Sequence, residues 1–361
     1  MTWYTAAPRD PLMVRDGRPF GLDTDGARSL DFPPPSVLAG MVRTRIGFAD
    51  RLDQFQLSVE QALAIEVSGP LLARVGAEGK VEGALFPAPR DCVLFEALGG
   101  WRRHRLRPEE APGANALTSL PGHLLPVAPD RALPANKPAS GPAFWTAAAL
   151  RRWLEEPGES AELLETQQTR PALTHERRVH VAIDPDTLTA EDGKLFQTDG
   201  LRFERWTNGG PIERMCLLLR CKNDKLRPGL ATLGGERRLT LLEESGFDPT
   251  WPAPTLSTRR ARVVLLTPAL FDEGGVPGAI AGARVVAAAV GRPLTISGWD
   301  MAIGGPKRTR RLAPAGSVYW VELPDGVAQE DWCASVHFGA VSDQLQDRRD
   351  GFGLAAVGVW A

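Results

Sequence analysis

The apolar pattern of residues 256–361 constrains the fold more than any other feature of this sequence. The segments RVVLLT, GSVYWVEL and GFGLAAVGVW are short apolar runs of the kind found in buried strands, and QEDWCASVHF has the periodicity of a short helix. Two further strand patterns, ARVVAAAVG and PLTISGW, follow RVVLLT, and we expect them to pair with each other. The order of strand, crossover, strands, helix and strand predicts one βαββαβ unit in this part of the chain.

The same order occurs with long insertions in residues 1–255. MTWYTA begins it as a strand, SVLAGMVRTRI follows as a helix, and two strands meet at a turn over Gly76–Gly79. Residues 177–206 alternate well enough for a β-hairpin with a polar tip, and residues 99–145, which contain WRRHRLR, are expected to form a long unpacked excursion. A length of 361 residues favours two domains. We therefore predict an α+β protein with two ferredoxin-like domains, over 1–255 and 256–361, that carry long loop and hairpin insertions.

Charge and cysteine content exclude several classes of protein. The 42 Lys and Arg residues nearly balance the 44 Asp and Glu residues, so any contact with nucleic acid must come from local basic patches. No apolar run approaches the ~20 residues of a membrane span, and the first residues lack the regions of a signal peptide. The four cysteines lack the paired spacing of zinc sites. We expect a cytoplasmic protein that binds no membrane, metal or cofactor.

No catalytic motif stands out in this sequence. It contains no GxxxxGK[ST], HExxH or GxSxG segment, and no strand–GxGxxG–helix unit. The five histidines are isolated, and an isolated histidine is more often a hydrogen-bonded structural residue than a general base. His180 is the strongest exception, because it lies in an alternating strand beside Arg177 and Arg178. We predict no catalytic residues and no small-molecule substrate.

Cations are concentrated in one glycine-flanked segment, MAIGGPKRTRRLAPAG. Lys307, Arg308, Arg310 and Arg311 repel one another, so this segment is either solvated surface or a binding site for an anion. Basic pairs beside glycines recur in LGGERR and RRDGFG, where backbone N–H groups can face an anion. This recurrence favours the phosphodiester backbone of a nucleic acid, with an aromatic residue such as Trp299 available for base stacking.

The first predicted helix carries a second candidate surface. Ser36 follows three prolines and is predicted to be the N-cap, while Leu38, Met41, Val42 and Ile46 form the apolar face. Ser36, Gly40 and Arg43 lie on the opposite face. Glycine inside a helix costs about 1 kcal/mol relative to alanine. Gly40 therefore indicates either close packing on a strand or the approach of a phosphate or base beside Arg43, and the residues alone leave both alternatives open.

Several blocks, in order, resemble the RAMP subunit of type III-B CRISPR (Cmr) effector complexes that holds the 5′ handle of the guide RNA. The blocks are RDPLMVRDGRPFG, PPPSVLAGMVRTRI, ERRVHVAIDPDTLTAEDGKLF, LGGERR, SGWDMAIGGPKRTRRLAPAGSVYWVEL and DGFGLAAVGVW. The resemblance implies two ferredoxin-like (RRM-related) domains and no nuclease activity. It implies three partners, namely the crRNA 5′ handle, the large polymerase-like subunit and the backbone RAMP subunit.

The resemblance also implies which residues contact RNA. The RDGRPFG segment contributes Arg15 and Arg18, and the final glycine-rich segment contributes Gly351 and Gly353. The full predicted RNA-binding set is Arg15, Arg18, Ser36, Gly40, Arg43, Arg178, His180, Trp299, Lys307, Arg308, Arg310, Arg311, Gly351 and Gly353.

Two other functions are compatible with the sequence. A RAMP endoribonuclease that processes CRISPR transcripts needs a general acid–base close to a glycine-rich loop, and the first helix has no histidine. A purely structural subunit would instead direct its basic segments at acidic surfaces of protein partners.

Overall fold

A computed structural model describes residues 2–15, 29–49, 53–109, 120–121, 123–156, 162–206, 210, 212–300 and 304–360. The strands up to residue 245 are β1 (Thr2–Pro8), β2 (Val67–Val75), β3 (Val81–Pro87), β4 (Cys92–Ala97), β5 (Gly100–Pro108), β6 (Val127–Pro129), β7 (Phe144–Thr146), β8 (Leu163–Glu165), β9 (Thr169–Arg170), β10 (Thr174–Ile183), β11 (Ala190–Arg202), β12 (Glu204–Arg205), β13 (Glu213–Cys221), β14 (Gly229–Leu233) and β15 (Arg238–Ser245).

The remaining strands and the helices complete the secondary structure of the described residues. The strands are β16 (Arg260–Leu265), β17 (Ala279–Ile280), β18 (Ala283–Ala289), β19 (Leu294–Ile296), β20 (Trp299–Asp300), β21 (Gly305–Pro306), β22 (Arg310–Leu312), β23 (Val318–Glu322) and β24 (Ala355–Val359). The α-helices are α1 (Pro35–Gly47), α2 (Val59–Ala64), α3 (Ala147–Glu155), α4 (Gln329–Val336) and α5 (Leu345–Arg349), with 3₁₀ turns at Thr166–Gln168 and Gly235–Arg237.

Two large sheets confirm the α+β class. A nine-stranded sheet has the order β14-β15-β1-β13-β2-β3-β7-β9 with β12 beside β13, and a five-stranded sheet has the order β17-β18-β23-β16-β24. Every strand pair in both sheets is antiparallel. The expected pairing of ARVVAAAVG with PLTISGW is wrong, because β18 pairs with β23 and β19 pairs with β22.

The two sheets pack face to face and bury apolar residues on both of their sides. Along β13, Leu217 and Leu219 join the core under α1, whereas Cys216 and Leu218 join the core between the sheets. The five-stranded sheet alternates in the same way, and its outer face packs against α4. Strands that are buried on both faces read as continuous apolar runs, which explains segments such as CLLL and VYWV.

The first helix confirms its predicted apolar face but not its predicted cap. Leu38, Met41, Val42 and Ile46 are buried in the core beneath α1. The helix begins at Pro35, two residues before the start that an N-cap at Ser36 implies, and no side chain caps it, so Ser36 is not the N-cap. The physical reason is that proline already has helical φ and lacks the N–H that a cap would satisfy.

The prediction that residues 99–145 form an unpacked excursion is wrong for part of this segment. WRRHRLR forms most of β5, which pairs with β4, β6 and β8. The guanidinium group of Arg105 lies 3.6 Å from the ring centre of Trp153 and donates to the backbone carbonyl of that tryptophan. Nearby, Arg262 of β16 binds the fully buried carboxylate of Asp91 at 2.5 Å. Arg103 and Arg105 are thus buried against a tryptophan ring inside the protein, whereas Arg102 is exposed, and sequence patterns do not reveal this arrangement.

The predicted hairpin is present as β10 and β11, whose register pairs Arg178 with Thr198 and His180 with Phe196. Its base is anchored in the core through a backbone bridge between Leu12 and Leu201. No helix in the described part of the chain is long and apolar enough to cross a membrane.

Candidate nucleic-acid interface

The cationic segment is an antiparallel ribbon and not the open loop that the sequence suggested. β19 pairs with β22 so that Thr295 faces Arg311, and β20 pairs with β21 beyond it. Lys307 joins the two short ladders, since its N–H donates to the carbonyl of Gly298 at 2.7 Å and its carbonyl accepts from the Ser297 hydroxyl at 2.9 Å. The ribbon thus fixes the backbone that carries the cations. We name residues 294–300 and 304–312 the cation ribbon.

The cations of this ribbon are exposed, and most of them are unpaired. Lys307, Arg308 and Arg311 have no ion-pair partner among the residues described here. Arg310 differs, because both of its terminal nitrogens donate to the carboxylate of Asp347 at 2.6 Å. That carboxylate is only 5% exposed, while the arginine side chain is 44% exposed. The hydrogen bonds to Asp347 raise the pKa of the Arg310 guanidinium. The cation ribbon therefore carries one cation that is held by a carboxylate and three exposed cations that have no ion-pair partner among the described residues.

Helix α5 connects this ribbon to helix α1. Its Asp347 holds Arg310, and Asp350, which follows the helix, accepts from Arg43 at 2.7 Å. Arg43 also donates to the carbonyl of Ile65, and its side chain is only 12% exposed. The two segments that the sequence singled out are thereby both bound to acidic residues at α5, which are three positions apart. The contact of Arg43 with phosphate stays a prediction, since its guanidinium already has a carboxylate partner.

The outer face of α1 remains open. Gly40 is exposed, and a Cβ atom built on it meets nothing within 4 Å. Close packing on a strand, one of the two explanations for this glycine, is therefore excluded by the structure. Ser36 is half-buried on the same face. An approach of RNA to this face remains a prediction.

Gly351 and Gly353 are buried, and both of them have a packing role, while their predicted contact with RNA stays a prediction. Gly351 has a φ of +93°, and a Cβ atom there would come within 2.7 Å of the carbonyl oxygen of Gly69. Gly353 has a φ of +82°, and its Cβ would meet Ser342 at 2.7 Å. The backbone at Gly69, in the nine-stranded sheet region, approaches Gly351, and the segment at Ser342 approaches Gly353, so both positions require glycine.

The remaining predicted residues are dispersed. Arg15 is exposed and forms a backbone bridge with Ser29, and Arg18 lies outside the described residues. The backbone of Trp299 begins β20 of the cation ribbon, opposite Pro306.

Arg178 and His180 project from the β10–β11 hairpin. Arg178 is ion-paired with Glu176, and His180 accepts or donates a hydrogen bond at 2.9 Å to Thr198 while stacking on Phe196. The structure does not bring this pair to the cation ribbon through any shared contact of the described residues. Their part in RNA binding stays a prediction.

Most of the other basic pairs contain at least one arginine that binds a partner within the protein. Arg103 lies between two tryptophan rings and pairs with Glu162, and Arg260 pairs with Glu322 at 3.1 Å. Arg348 donates to two backbone carbonyl groups. Recurrence of basic pairs along the sequence was therefore a weaker indication of RNA binding than the exposure of the cation ribbon.

Sequence reasoning missed the apolar face of the hairpin. Val179, Val181 and Leu195 lie on one face, where they are 62%, 43% and 70% exposed. On the other face, Phe196 is 50% exposed. A contiguous apolar surface of this kind is typical of an interaction site. The signal was visible in VHVAI, in which neither face of the strand is consistently polar.

Two of the five histidines have structural surroundings. His337 is held between the Trp251 carbonyl and the Val357 N–H, and burial lowers its pKa to about 4. Burial also lowers the pKa of His104, whose ring packs edge-on against Phe95. Within the described ranges, no group of three His, Cys, Asp or Glu residues is arranged to hold a metal ion.

Comparisons with known proteins gave one family model and several solved structures of similar fold. A family model described as CRISPR-associated protein (Cas_Cmr3) matches residues 4–360. Among solved structures, the chain is similar to a chain of the type III-B Cmr-beta complex bound to cognate target RNA and AMPPnP, with 18% identity, a TM-score of 0.50, and coverage of 88% of this chain and 86% of that one. A second structure of Cmr-beta, bound to cognate target RNA, gives 19% identity, a TM-score of 0.50 and the same coverage. A chain of a type III-A Csm3–Csm4 subcomplex gives 10% identity and a TM-score of 0.41 over 90% of this chain and 93% of that one. The comparison with curated proteins gave no match.

Proposed function

The chain belongs to the Cas_Cmr3 family of CRISPR-associated proteins, and we propose that it is a non-catalytic RNA-binding subunit of a type III-B (Cmr) effector complex. In this role it grips the 5′ handle of the crRNA and joins the large polymerase-like subunit to the backbone RAMP subunit in antiviral defence. The single observation that carries the RNA-binding part is the cation ribbon, where three exposed cations have no ion-pair partner among the described residues and lie on a hydrogen-bonded backbone.

Electrostatics explains why such a ribbon suits a phosphodiester strand. Each cation that neutralises a phosphate releases condensed counterions, which gives affinity without base selection. Arg310 is pre-positioned by Asp347, so it loses little rotamer freedom on binding. The exposed face of α1, with Gly40 at its centre, offers a smooth surface that a strand can approach.

The absence of catalysis in the proposal is supported by the surroundings of the histidines. RNA cleavage through a ribose 2′-OH needs a general base that can both reach the hydroxyl and take its proton. His337 is fixed inside the protein, and α1 presents Ser36, Gly40 and Arg43 on its outer face, none of which is a general base at neutral pH.

The proposed domain organisation is two ferredoxin-like domains, over 1–255 and 256–361. Strand order supports the second domain: β24, β16, β23 and β18 are adjacent in that order, which is the order of the fourth, first, third and second strands of a ferredoxin-like unit. The helix α4 precedes the fourth strand as that unit requires, and an irregular segment replaces the first helix.

The hairpin supports the proposed contact with a neighbouring subunit. A two-stranded ribbon is marginally stable by itself, and burial of Val179, Val181 and Leu195 against a protein partner would add the apolar contacts that it lacks. Its opposite face, with Arg178 and His180, is left for the RNA.

Nuclease footprinting of the assembled complex tests the proposed function. With this subunit present, we expect the 5′ handle to be protected from a single-strand-specific nuclease. A complex that lacks the subunit, or carries Lys307→Ala, Arg308→Ala and Arg311→Ala together, should expose the handle while the spacer remains protected. Protection of the handle in the complex without this chain would contradict the proposal and favour a purely structural role.

A further inference from the structure

Helix α2 lies on the protein surface, and none of its six residues is buried. A capping box closes its first turn, because Ser58 and Gln61 exchange hydrogen bonds between their side chains and backbone N–H groups. The flanking residues Leu57 and Ile65 both pack into the core under α1, so the helix is fixed at its two ends. A helix this short gains most of its stability from the packing of an apolar face. The described residues hold the ends of α2 but bury none of its face.

The exposed face of α2 is apolar, and apolar side chains continue on both sides of the helix. Val59 and Leu63 are four positions apart, so they lie on the same face, where they are 61% and 38% exposed. Phe55, which precedes the helix, is 42% exposed. On the other side α5 contacts α2, since Gln346 donates to the carbonyl of Leu63 at 3.3 Å, and Leu345 of α5 is 52% exposed. We name Phe55, Val59, Leu63 and Leu345 the α2–α5 patch. An exposed apolar patch of this kind is typical of an interaction site.

Carboxylates surround the α2–α5 patch. Glu60 is exposed beside Val59 in the helix, and the Glu66 side chain, just after the helix, is 56% exposed and lies 3.9 Å from Arg349. At the α5 side, Asp343 is exposed two positions before Leu345. These carboxylates repel the phosphates of RNA, so the patch is unsuited to the strand that the cation ribbon is proposed to hold. They are complementary to a protein surface that carries lysine or arginine around an apolar centre.

The α2–α5 patch is too small to hold two copies of this chain together by itself. A stable protein interface buries about 1,200–2,000 Å² in total, and the patch consists of four side chains that are already partly covered. A partner on it therefore needs further contacts within the same assembly. Helix α5 shows where these lie, because its Asp347 binds Arg310 of the cation ribbon. A protein on the patch would adjoin the RNA strand on that ribbon.

We propose that the α2–α5 patch is a docking surface for another protein subunit of the assembly, one that presents an apolar ridge edged by lysine or arginine. This rests on the proposed function and deepens it, because it names a surface through which the chain is joined to a neighbour. The patch shares no residue with the apolar face of the β10–β11 hairpin. Helix α5 then belongs to two interfaces, since its Asp347 binds the cation ribbon and its Leu345 is covered by the partner.

Reconstitution of the effector complex with variant chains tests the docking surface. Val59→Asp together with Leu63→Asp should weaken binding of the labelled full-length chain, titrated into a complex assembled without it, by about tenfold or more. The affinity of the same variant for handle RNA alone should not change. The matched control is Leu98→Asp together with Leu239→Asp, which makes the same chemical change at leucines that are 100% and 43% exposed elsewhere. It should join the complex as the unchanged chain does.

A second variant keeps the test valid if the aspartate pair disturbs folding. Glu60→Lys together with Glu66→Lys changes only the exposed rim and should weaken docking at low salt, with a smaller loss at high salt.

Three results would overturn the docking surface. Both patch variants could join the complex as tightly as the control, the aspartate variant could lose handle RNA as an isolated folded chain, or the unchanged chain could form a dimer in sedimentation that this variant abolishes. The second result would assign the patch to RNA, and the third would assign it to a second copy. Failure of the unchanged chain to bind handle RNA would instead refute the proposed function, and the titration into the complex would still show whether a protein docks on the patch.

Discussion

Replacing Lys307, Arg308 and Arg311 by alanine should flatten the salt dependence of handle-RNA binding. These three cations are exposed and unpaired in the described structure, whereas Arg310 is held by Asp347. Each phosphate neutralised on a single strand contributes about 0.7 to the slope of log K against log salt, so the triple variant should lose about 2 units of slope. At about 0.15 M salt this corresponds to roughly fifty-fold weaker binding, and near 1 M salt the difference should nearly vanish.

Fluorescence anisotropy with a labelled handle RNA across a salt series measures both quantities. The loss should be equal for the handle and for a scrambled RNA, because phosphate contacts carry little sequence information. Alanine replacements of the exposed lysines Lys80, Lys137 and Lys222 make the same charge change elsewhere and should leave the slope nearly unchanged. Arg310→Ala should have a different effect, because it leaves the buried Asp347 carboxylate without its arginine partner. We expect it to lower the free energy of unfolding by about 2 kcal/mol and to change the salt slope less than the triple variant does. An unchanged slope in the triple variant, or an equal loss in the lysine control, would refute the reasoning.

Three further predictions concern stability and the α1 face. Gly40→Leu should raise the free energy of unfolding by up to about 1 kcal/mol, since its Cβ position is open, yet weaken handle binding in the same anisotropy assay; unchanged affinity would remove α1 from the interface. Gly351→Ala should lower the free energy of unfolding, measured with denaturant, by about 2 kcal/mol or more. The control is Gly274→Ala, which should lower it less, because Gly274 has a similar φ of +96° but no neighbour within 4 Å of its Cβ position. Equal losses would show that the contact of Gly351 with Gly69 is unimportant. Burial lowers the pKa of His337 to about 4. The contribution of this histidine to the free energy of unfolding should therefore be complete above about pH 6.5 and decline by up to about 3 kcal/mol as the pH falls to 4. Thermal unfolding of His337→Gln with the same pH dependence as the unchanged chain would contradict this.

The sequence predicted the elements whose side chains repeat with a clear period. The buried face of α1 and the hairpin of β10 and β11 both follow from local patterns. Such elements are specified by residues close together in the sequence.

Long-range pairing limited what could be predicted of the candidate site. Arg43 and Asp350 are 307 positions apart in the chain, and no local pattern indicates that they form an ion pair. Arg310 was counted as a free cation for the same reason. WRRHRLR has the composition of a solvated loop, and only the tryptophans and carboxylates supplied by distant elements explain its burial. Gly351 and Gly353 were predicted to contact RNA, and no local pattern indicated that Gly69 and Ser342 of the protein itself approach them closely.

Ultraviolet cross-linking of the native complex, followed by sequencing of the RNA attached to this chain, tests the central claim most directly. If the chain grips the 5′ handle, the attached fragments should begin at the 5′ end of the guide and share one repeat-derived sequence, whatever spacer follows. The cross-linked peptides should include the cation ribbon, and the Lys307, Arg308 and Arg311 alanine variant should lose them. Fragments spread over the spacer or the target, or a chain that carries no RNA in an intact complex, would contradict the account.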